Sequence, residues 1–231
     1  MFGTNEINLS GSLTRVPELA YTPSGTAVLR FTLTGEETIL NSSGVVKQVP
    51  FYLPVKVLGA RAEDLALADL KTGTGLVVQG ALSYSDWEDE YGKHSRLEIV
   101  GVTVFEAAER ILSGVNQARI SGNLTRDAQL RHTGKGIAVL NLNLAINQSY
   151  RKGQQIIPQT HYVEVTLWGA LAEQHSSLKC GAGVFIAGRL VNQSWKDQYG
   201  NQRRALKIEA ANLEVIKRHV KPTEARATQA A

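Results

Sequence analysis

Residues 184–200, VFIAGRLVNQSWKDQYG, decide the fold because the chain contains them twice. The earlier copy, residues 76–92, reads LVVQGALSYSDWEDEYG; superposition pairs Gly80 with Gly188, Leu82 with Leu190, Trp87 with Trp195 and Tyr91 with Tyr199. Each copy is a run of β-branched and apolar residues, interrupted by one Gly, that passes into a polar turn ending in Tyr-Gly. That is the pattern of a strand entering a hairpin. Each Trp therefore stands near a strand tip among polar residues, where core aromatics are uncommon. A Trp there either lids the end of a barrel or offers its ring to a ligand.

The duplication extends outward from this stretch. Residues 5–15, NEINLSGSLTR, return as residues 116–126, NQARISGNLTR, at an offset of 111. In each repeat a turn follows, then strict alternation: Leu29, Phe31 and Leu33 in the first, Leu140, Leu142 and Leu144 in the second. A period of two marks a strand with one buried side. A polar loop comes next (GEETILNSSGVVKQ, then NQSYRKGQQIIPQ), and after it a third strand at 51–58, FYLPVKVL, and 161–168, HYVEVTLW. Gly59 and Gly169 open short helices rich in Ala and Leu that are expected to end at Leu70-Lys71 and Leu178-Lys179. The duplicated strand and one more, near 96–105 or 204–215, complete each unit.

Three strands, a helix and two strands, twice, predict a mainly β protein of two tandem OB-fold five-stranded barrels, each with one helix between strands three and four. A sandwich of the same strands gives that helix no role. The barrels are expected over residues 1–106 and 115–217, close together across a short linker at 107–114, with a disordered tail at 218–231.

Composition narrows the function. One cysteine, Cys180, excludes an intramolecular disulfide and a cysteine-based zinc cluster. The five histidines lack metal-ligand spacing, and the Gly-rich turns at 73–75 and 134–136 complete no phosphate loop, so no metal, cofactor or catalytic group is expected. No stretch has the length of a membrane span and the N-terminus carries no secretory pattern, which predicts a soluble, cytoplasmic protein. Residues 1–110 hold 9 Lys or Arg against 14 Asp or Glu, whereas residues 111–231 hold 16 against 7. The second repeat is thus the better candidate for meeting a polyanion.

Strand parity sharpens that expectation. In HYVEVTLW, Val163, Val165 and Leu167 alternate inward, which forces Tyr162, Glu164, Thr166 and Trp168 outward. In FYLPVKVL the outward set is Tyr52, Pro54, Lys56 and Leu58. Trp195 shares parity with Arg189, Val191 and Gln193, so Trp195 and Arg189 are expected on one outer face unless a bulge at Gly188 resets the register. Tyr150 stands in the polar loop beside Arg151 and Lys152. Rings interleaved with cations suit single-stranded nucleic acid, because bases stack on the rings and Lys or Arg neutralise phosphates. The candidate cations are Arg126, Arg131, Arg151, Lys152, Arg189, Lys196, Arg203 and Arg204. The competing reading covers Tyr162 and Trp168 with the other barrel or a second subunit.

The blocks GNLTRDAQLRHTGKGIAVLNLNLAINQSY, THYVEVTLWGALAEQ, LKCGAGVFIAGRLVNQSWKDQYGNQR and KIEAANLEV, in this order, resemble the bacterial single-stranded DNA-binding protein family along the whole second repeat. Residues 5–105 resemble a diverged copy, as in two-domain members from the Deinococcus and Thermus group. The resemblance implies sequence-tolerant binding of single-stranded DNA in replication, recombination and repair, close to the nucleoid, by a homodimer carrying four OB domains. It places stacking aromatics at Tyr150, Tyr162, Trp168 and Trp195. The matching first-repeat positions hold Ile39, Tyr52, Leu58 and Trp87, so a first barrel with half the set is expected to bind weakly or to serve in dimer contacts. Family members typically end in an acidic, Phe-terminated tip that recruits repair and replication enzymes. This sequence stops at Thr228-Gln229-Ala230-Ala231, and a specialised paralogue, or one encoded by a mobile element, without that tip is expected rather than a housekeeping copy. The acidic first barrel also motivates an alternative, an OB-fold primosome or recombination accessory acting mainly through protein partners.

Overall fold

A computed structural model describes residues 3–40, 45–90, 92–196, 200 and 202–216. At 40, 152, 195, 196 and 202–204 it describes the backbone alone. The expected tail at 218–231 and the two hairpin tyrosines, Tyr91 and Tyr199, lie outside the described residues.

The first repeat forms β1 (Asn5–Leu13), β2 (Glu18–Tyr21), β3 (Ala27–Leu40), β4 (Val46–Leu58), α1 (Ala60–Leu67), β5 (Gly75–Asp89) and β6 (Gly92–Glu106). The second forms β7 (Val115–Leu124), β8 (Gln129–His132), β9 (Ala138–Lys152), β10 (Gln155–Trp168), α2 (Gly169–Gln174), β11 (Gly183–Lys196) and β12 (Gln202–Val215). In each, the pairings run in a ring. β1 meets β3, β3 meets β4, β4 meets β6 in parallel, β6 meets β5, and β5 returns to β1. The second ring, β7-β9-β10-β12-β11, closes the same way. Each ring is a closed five-stranded barrel with its helix after the third long strand.

The interiors follow the alternation in the sequence. Leu29, Phe31, Leu33, Leu53, Val55 and Val57 are buried in the first barrel, and Leu140, Leu142, Leu144, Val163, Val165 and Leu167 in the second. Closure forces each barrel to bend, and the bend falls at the repeated glycine. The β5–β6 register shifts between Gln79 and Gly80, and the β11–β12 register between Ala187 and Gly188. A Cβ at Gly80 would collide with the Val100 carbonyl oxygen and one at Gly188 with that of Glu209, so only glycine fits the bulge.

Just past each bulge a buried asparagine serves the strand. The Leu82 N–H donates to Asn5 Oδ1 (2.9 Å) while Asn5 Nδ2 donates to the Leu82 carbonyl (2.8 Å). Asn116 makes the same pair of bonds to Leu190, both at 2.9 Å. These satisfy backbone groups that water cannot reach.

The two barrels are one continuous sheet. β1 and β7 pair antiparallel from Asn5↔Ile120 to Ser10↔Val115, fusing the rings into a 12-stranded order. The register centres on Ile7↔Ala118, so equivalent residues of the repeats approach each other about a local twofold.

Four details depart from the sequence expectations. The turns after β1 and β7 each contain a short edge strand, β2 and β8, exposed throughout and therefore without alternation to announce it. The helices stop early, at Leu67 and Gln174 rather than at Lys71 and Lys179. Leu70 is buried from a non-helical turn after α1, where its N–H donates to the Ala68 carbonyl (2.7 Å), instead of from the helix. The polar loop of the second repeat is the outer part of a long hairpin, with β9 and β10 paired out to Lys152↔Gln155. This arm and its counterpart on β3 and β4 reach over the opposite barrel. Gln148 Oε1 accepts from Asn5 Nδ2 (2.9 Å), and at the equivalent place Glu37 Oε1 accepts from Asn116 Nδ2 (3.2 Å).

Removing one asparagine latch strands a buried N–H and carbonyl together. Asn116→Ala is expected to destabilise the protein by about 1–3 kcal/mol, read as a lower midpoint in urea. A surface change such as Gln129→Ala should leave the midpoint in place.

Candidate nucleic-acid interface

The outer face of the second barrel is a ladder of cross-strand neighbours. Along β10 the outward residues are Tyr162, Glu164, Thr166 and Trp168, opposite Ala145, Asn143, Asn141 and Val139 of β9. β8 adds Arg131 beside Val139 and Gln129 beside Asn141. Arg131, Val139 and Trp168 thus form one row across three strands. Tyr162 is 50% exposed and Trp168 43%. They are six positions apart on the strand, about 20 Å at roughly 3.3 Å per residue. Between the rings the ladder is polar and already paired. The Thr166 hydroxyl donates to Asn141 Oδ1 (3.1 Å), Lys207 Nζ pairs with Glu164 (2.7 Å), and Arg126 donates to the Asn143 side-chain oxygen.

The Tyr162 end of this face opens into a groove of about 820 Å³ where the barrels meet. Arg15, Arg30, Arg96, Tyr84 and Trp87 line it from the first barrel, and Asn143, Tyr162 and Asn192 from the second. Trp87 is 44% exposed and carries its own neighbours. The His94 ring stacks on it with centroids 5.5 Å apart and planes at 18°, and the Arg96 guanidinium carbon lies 6.0 Å from the ring centroid. His94 Nε2 is 2.9 Å from Asp89 Oδ1. Lys56 is paired with Glu98 in the same groove.

The structure brings together some of the sequence-predicted residues and separates others. Tyr162, Trp168, Arg126 and Arg131 share the outer face of the second barrel. Tyr150 (49% exposed) lies on the hairpin arm opposite Ile157, on the other side of the ladder from Tyr162 and Trp168, while Arg151 follows it on their side. Tyr52 and Leu58 are exposed on the outward side of β4, and Ile39 is half-buried on the β3 arm. The backbone register puts Trp195 opposite Arg203 and Lys196 opposite Gln202. The side chains of Lys152, Trp195, Lys196, Arg203 and Arg204 lie outside those described.

Arg189 takes a different place from the open face expected of it. The bulge precedes it, so its parity with Trp195 holds, yet its side chain is only 19% exposed and its guanidinium bonds Glu37 of the first barrel (2.6 Å) and Glu209 (3.0 Å). Burial alone would lower its pKa; the hydrogen bonds and charges of the two carboxylates outweigh that and raise it. Arg189 is a tie between barrels rather than a cation held out to a phosphate.

Sequence reasoning missed the first-barrel half of the groove: Arg15, Arg30, Tyr84, His94 and Arg96. The repeat held the signal for one of them, since Arg15 is the 111-offset partner of Arg126; by strand register Arg96 stands where the second repeat has Ala205. The acidic balance of the first half is concentrated at the β5–β6 hairpin, in Asp86, Glu88, Asp89 and Glu90, whereas Arg15, Arg30, Lys56 and Arg96 outnumber Glu98 and Glu164 among the groove-lining residues.

The single-strand binding protein family model matches the chain twice, over residues 4–105 and 115–216. The chain belongs to that family. It is similar to the single-stranded DNA-binding protein of Deinococcus radiodurans, at 37% identity over 94% of this chain and 76% of that protein. It is also similar to that of Thermus aquaticus, at 38% identity over 92% and 84%. The crystal structure of the wild-type Thermus aquaticus single-stranded DNA binding protein superposes with a TM-score of 0.79 at 35% identity, covering 97% of this chain and 98% of that one. Among the described residues no group of three His, Cys, Asp or Glu could hold a metal ion, and no helix is long and apolar enough to cross a membrane.

One titratable group sits at the junction beside this face. His161 is buried, and its Nδ1 accepts the Tyr84 backbone N–H at 3.0 Å, which needs that nitrogen unprotonated. Burial holds its pKa below the usual 6.5. The unfolded chain therefore takes up a proton before the folded one does, and stability, fully present above pH 6.5, falls as pH drops below it. Denaturation midpoints from pH 8 downward should show this loss, and His161→Phe, which installs the first-barrel residue Phe51, should flatten it.

Proposed function

We propose that this chain binds single-stranded DNA with little regard to sequence, stacking bases on exposed rings and neutralising phosphates with flanking arginines. It would thereby shield unwound strands during replication, recombination and repair, in the cytoplasm and in contact with the nucleoid. The observation that carries this reading is the outward row of β10. Tyr162 and Trp168 stand half-exposed on one face, flanked by Arg126 and Arg131, and the row leads into a groove lined by Arg15, Arg30, Arg96 and Trp87. Rings have a stacking face for every base, and the surrounding side chains are committed to one another, which leaves few groups to read base edges. The relatives' names point the same way. A strand following both barrels would use the acidic first repeat as well, through its arginines. A protein that works by holding a strand needs no catalytic group, and the chemistry of the face is that of a binding surface.

We further propose that two chains associate to give four barrels, using the outer face of the sheet around β1. Phe105 stands opposite Val77, and Ser10 lies between Val77 and Val115. The three apolar side chains make an exposed row across β6, β5, β1 and β7. None of these residues lines the groove, so a subunit contact here would leave the groove-lining side chains uncovered.

Oligothymidine should quench tryptophan fluorescence, with affinity falling steeply as salt rises. Trp168→Ala combined with Trp195→Ala should weaken binding by roughly 2 to 6 kcal/mol if the two rings contribute independently; unchanged affinity would remove the stacking account. Sedimentation should give the mass of two chains, and Phe105→Glu should shift it toward one.

A further inference from the structure

We propose that Tyr84 of the first barrel is a positioning residue for Tyr162 of the second, setting the plane of a ring whose open side takes a base. This rests on the stacking reading above. The two rings meet edge to face, with centroids 5.2 Å apart and planes at 83°. Both line the groove between the barrels, and Tyr162 keeps half its surface exposed. An edge-to-face contact occupies at most one face of the Tyr162 ring and leaves another free for a base.

The contact is anchored at its base. The Tyr84 N–H donates to His161 Nδ1, and His161 immediately precedes Tyr162 on β10. This backbone-to-side-chain bond joins β5 to β10 beside the point where the rings touch. An isolated exposed tyrosine samples several rotamers and loses that freedom when a base stacks on it. A ring held in advance loses less, so the same contact gives tighter binding.

The local twofold supplies an internal control. The equivalent of Tyr162 is Tyr52, of His161 is Phe51, and of Tyr84 is Asn192. At that second junction no ring contact with Tyr52 occurs among the described side chains; Asn192 Nδ2 instead donates to the Tyr52 backbone carbonyl at 3.4 Å. Phe51 has no acceptor to offer. Both junctions share a backbone arrangement, and one of them has a ring placed against the stacking residue. A pairing required by the barrel-to-barrel fold would be present at both.

The test is a double-mutant cycle on oligothymidine affinity, with urea midpoints measured in parallel. Tyr84→Ala should weaken binding about 3- to 10-fold, the range expected when an aromatic pair is lost. Tyr84→Phe keeps the ring and should bind like the unaltered protein. In a Tyr162→Ala background, Tyr84→Ala should add nothing, because the ring it positions is gone. An equal loss in both backgrounds would make Tyr84 an independent contact and overturn the proposal, as would full affinity in Tyr84→Ala when Tyr162→Ala binds weakly. If Tyr162→Ala itself leaves affinity unchanged, the stacking reading falls and the proposal with it. Should Tyr84→Ala lower the urea midpoint, Tyr84→Leu, which fills the space without a ring, is judged by the same criteria.

Discussion

The backbone pairing of β1 with β7 is the constraint on which the rest of the structure depends. Two barrels joined only by residues 107–114 could take many relative positions. Hydrogen bonds in register from Asn5↔Ile120 to Ser10↔Val115 leave one. That pairing sets the approximate twofold and brings each hairpin arm over the opposite barrel. It also puts Tyr84 of one repeat against Tyr162 of the other. The groove between the barrels exists because this junction is rigid, and strand pairing buried on the barrel side by Ile7, Leu9 and Ile120 makes it so.

The junction is symmetric in its backbone and asymmetric in its side chains. Bulge glycines and asparagine latches recur in both repeats because both barrels have to close. The groups that meet across the junction differ. Arg189 lies between Glu37 and Glu209 on one side, where the equivalent positions on the other hold Ala81, Gln148 and Val100. A ring meets a ring at Tyr84 and Tyr162, where the other side has Asn192 and Tyr52. Duplication freed each copy to specialise. One junction is tied by charge and the other by aromatic contact and a histidine acceptor, so the two barrels present different halves of one surface.

Much of this was legible in the sequence wherever a side of a strand is buried. Leu29, Phe31 and Leu33, and Val163, Val165 and Leu167, announce their strands by period two, and the same bookkeeping puts Tyr162 and Trp168 outside. Where burial ends, the signal ends. The β9–β10 arm beyond the barrel has polar residues on both sides and reads as a loop, and β2 and β8, exposed throughout, read as turns. Leu70 and Leu178 look like the continuation of a helix because an apolar residue packed against the core from the turn after a helix leaves the same trace. Contacts between repeats are a further kind of omission. Parity places Arg189 outward correctly, but only the assembled junction reveals that Glu37 waits there, and only the assembled junction gives Tyr84 a partner.

The central claim is that one strand follows a single surface across both barrels, over β10 and through the groove that the β1–β7 junction creates. Photo-crosslinking of iodouracil-substituted oligonucleotides, mapped to residues by mass spectrometry, tests it most directly. The account predicts crosslinks at Tyr162 and Trp168 together with Trp87 or Tyr84 from the same short oligonucleotide. Crosslinks confined to the row around Val77 and Phe105, which lines no part of the groove, or found on the second barrel alone whatever the oligonucleotide length, would contradict it.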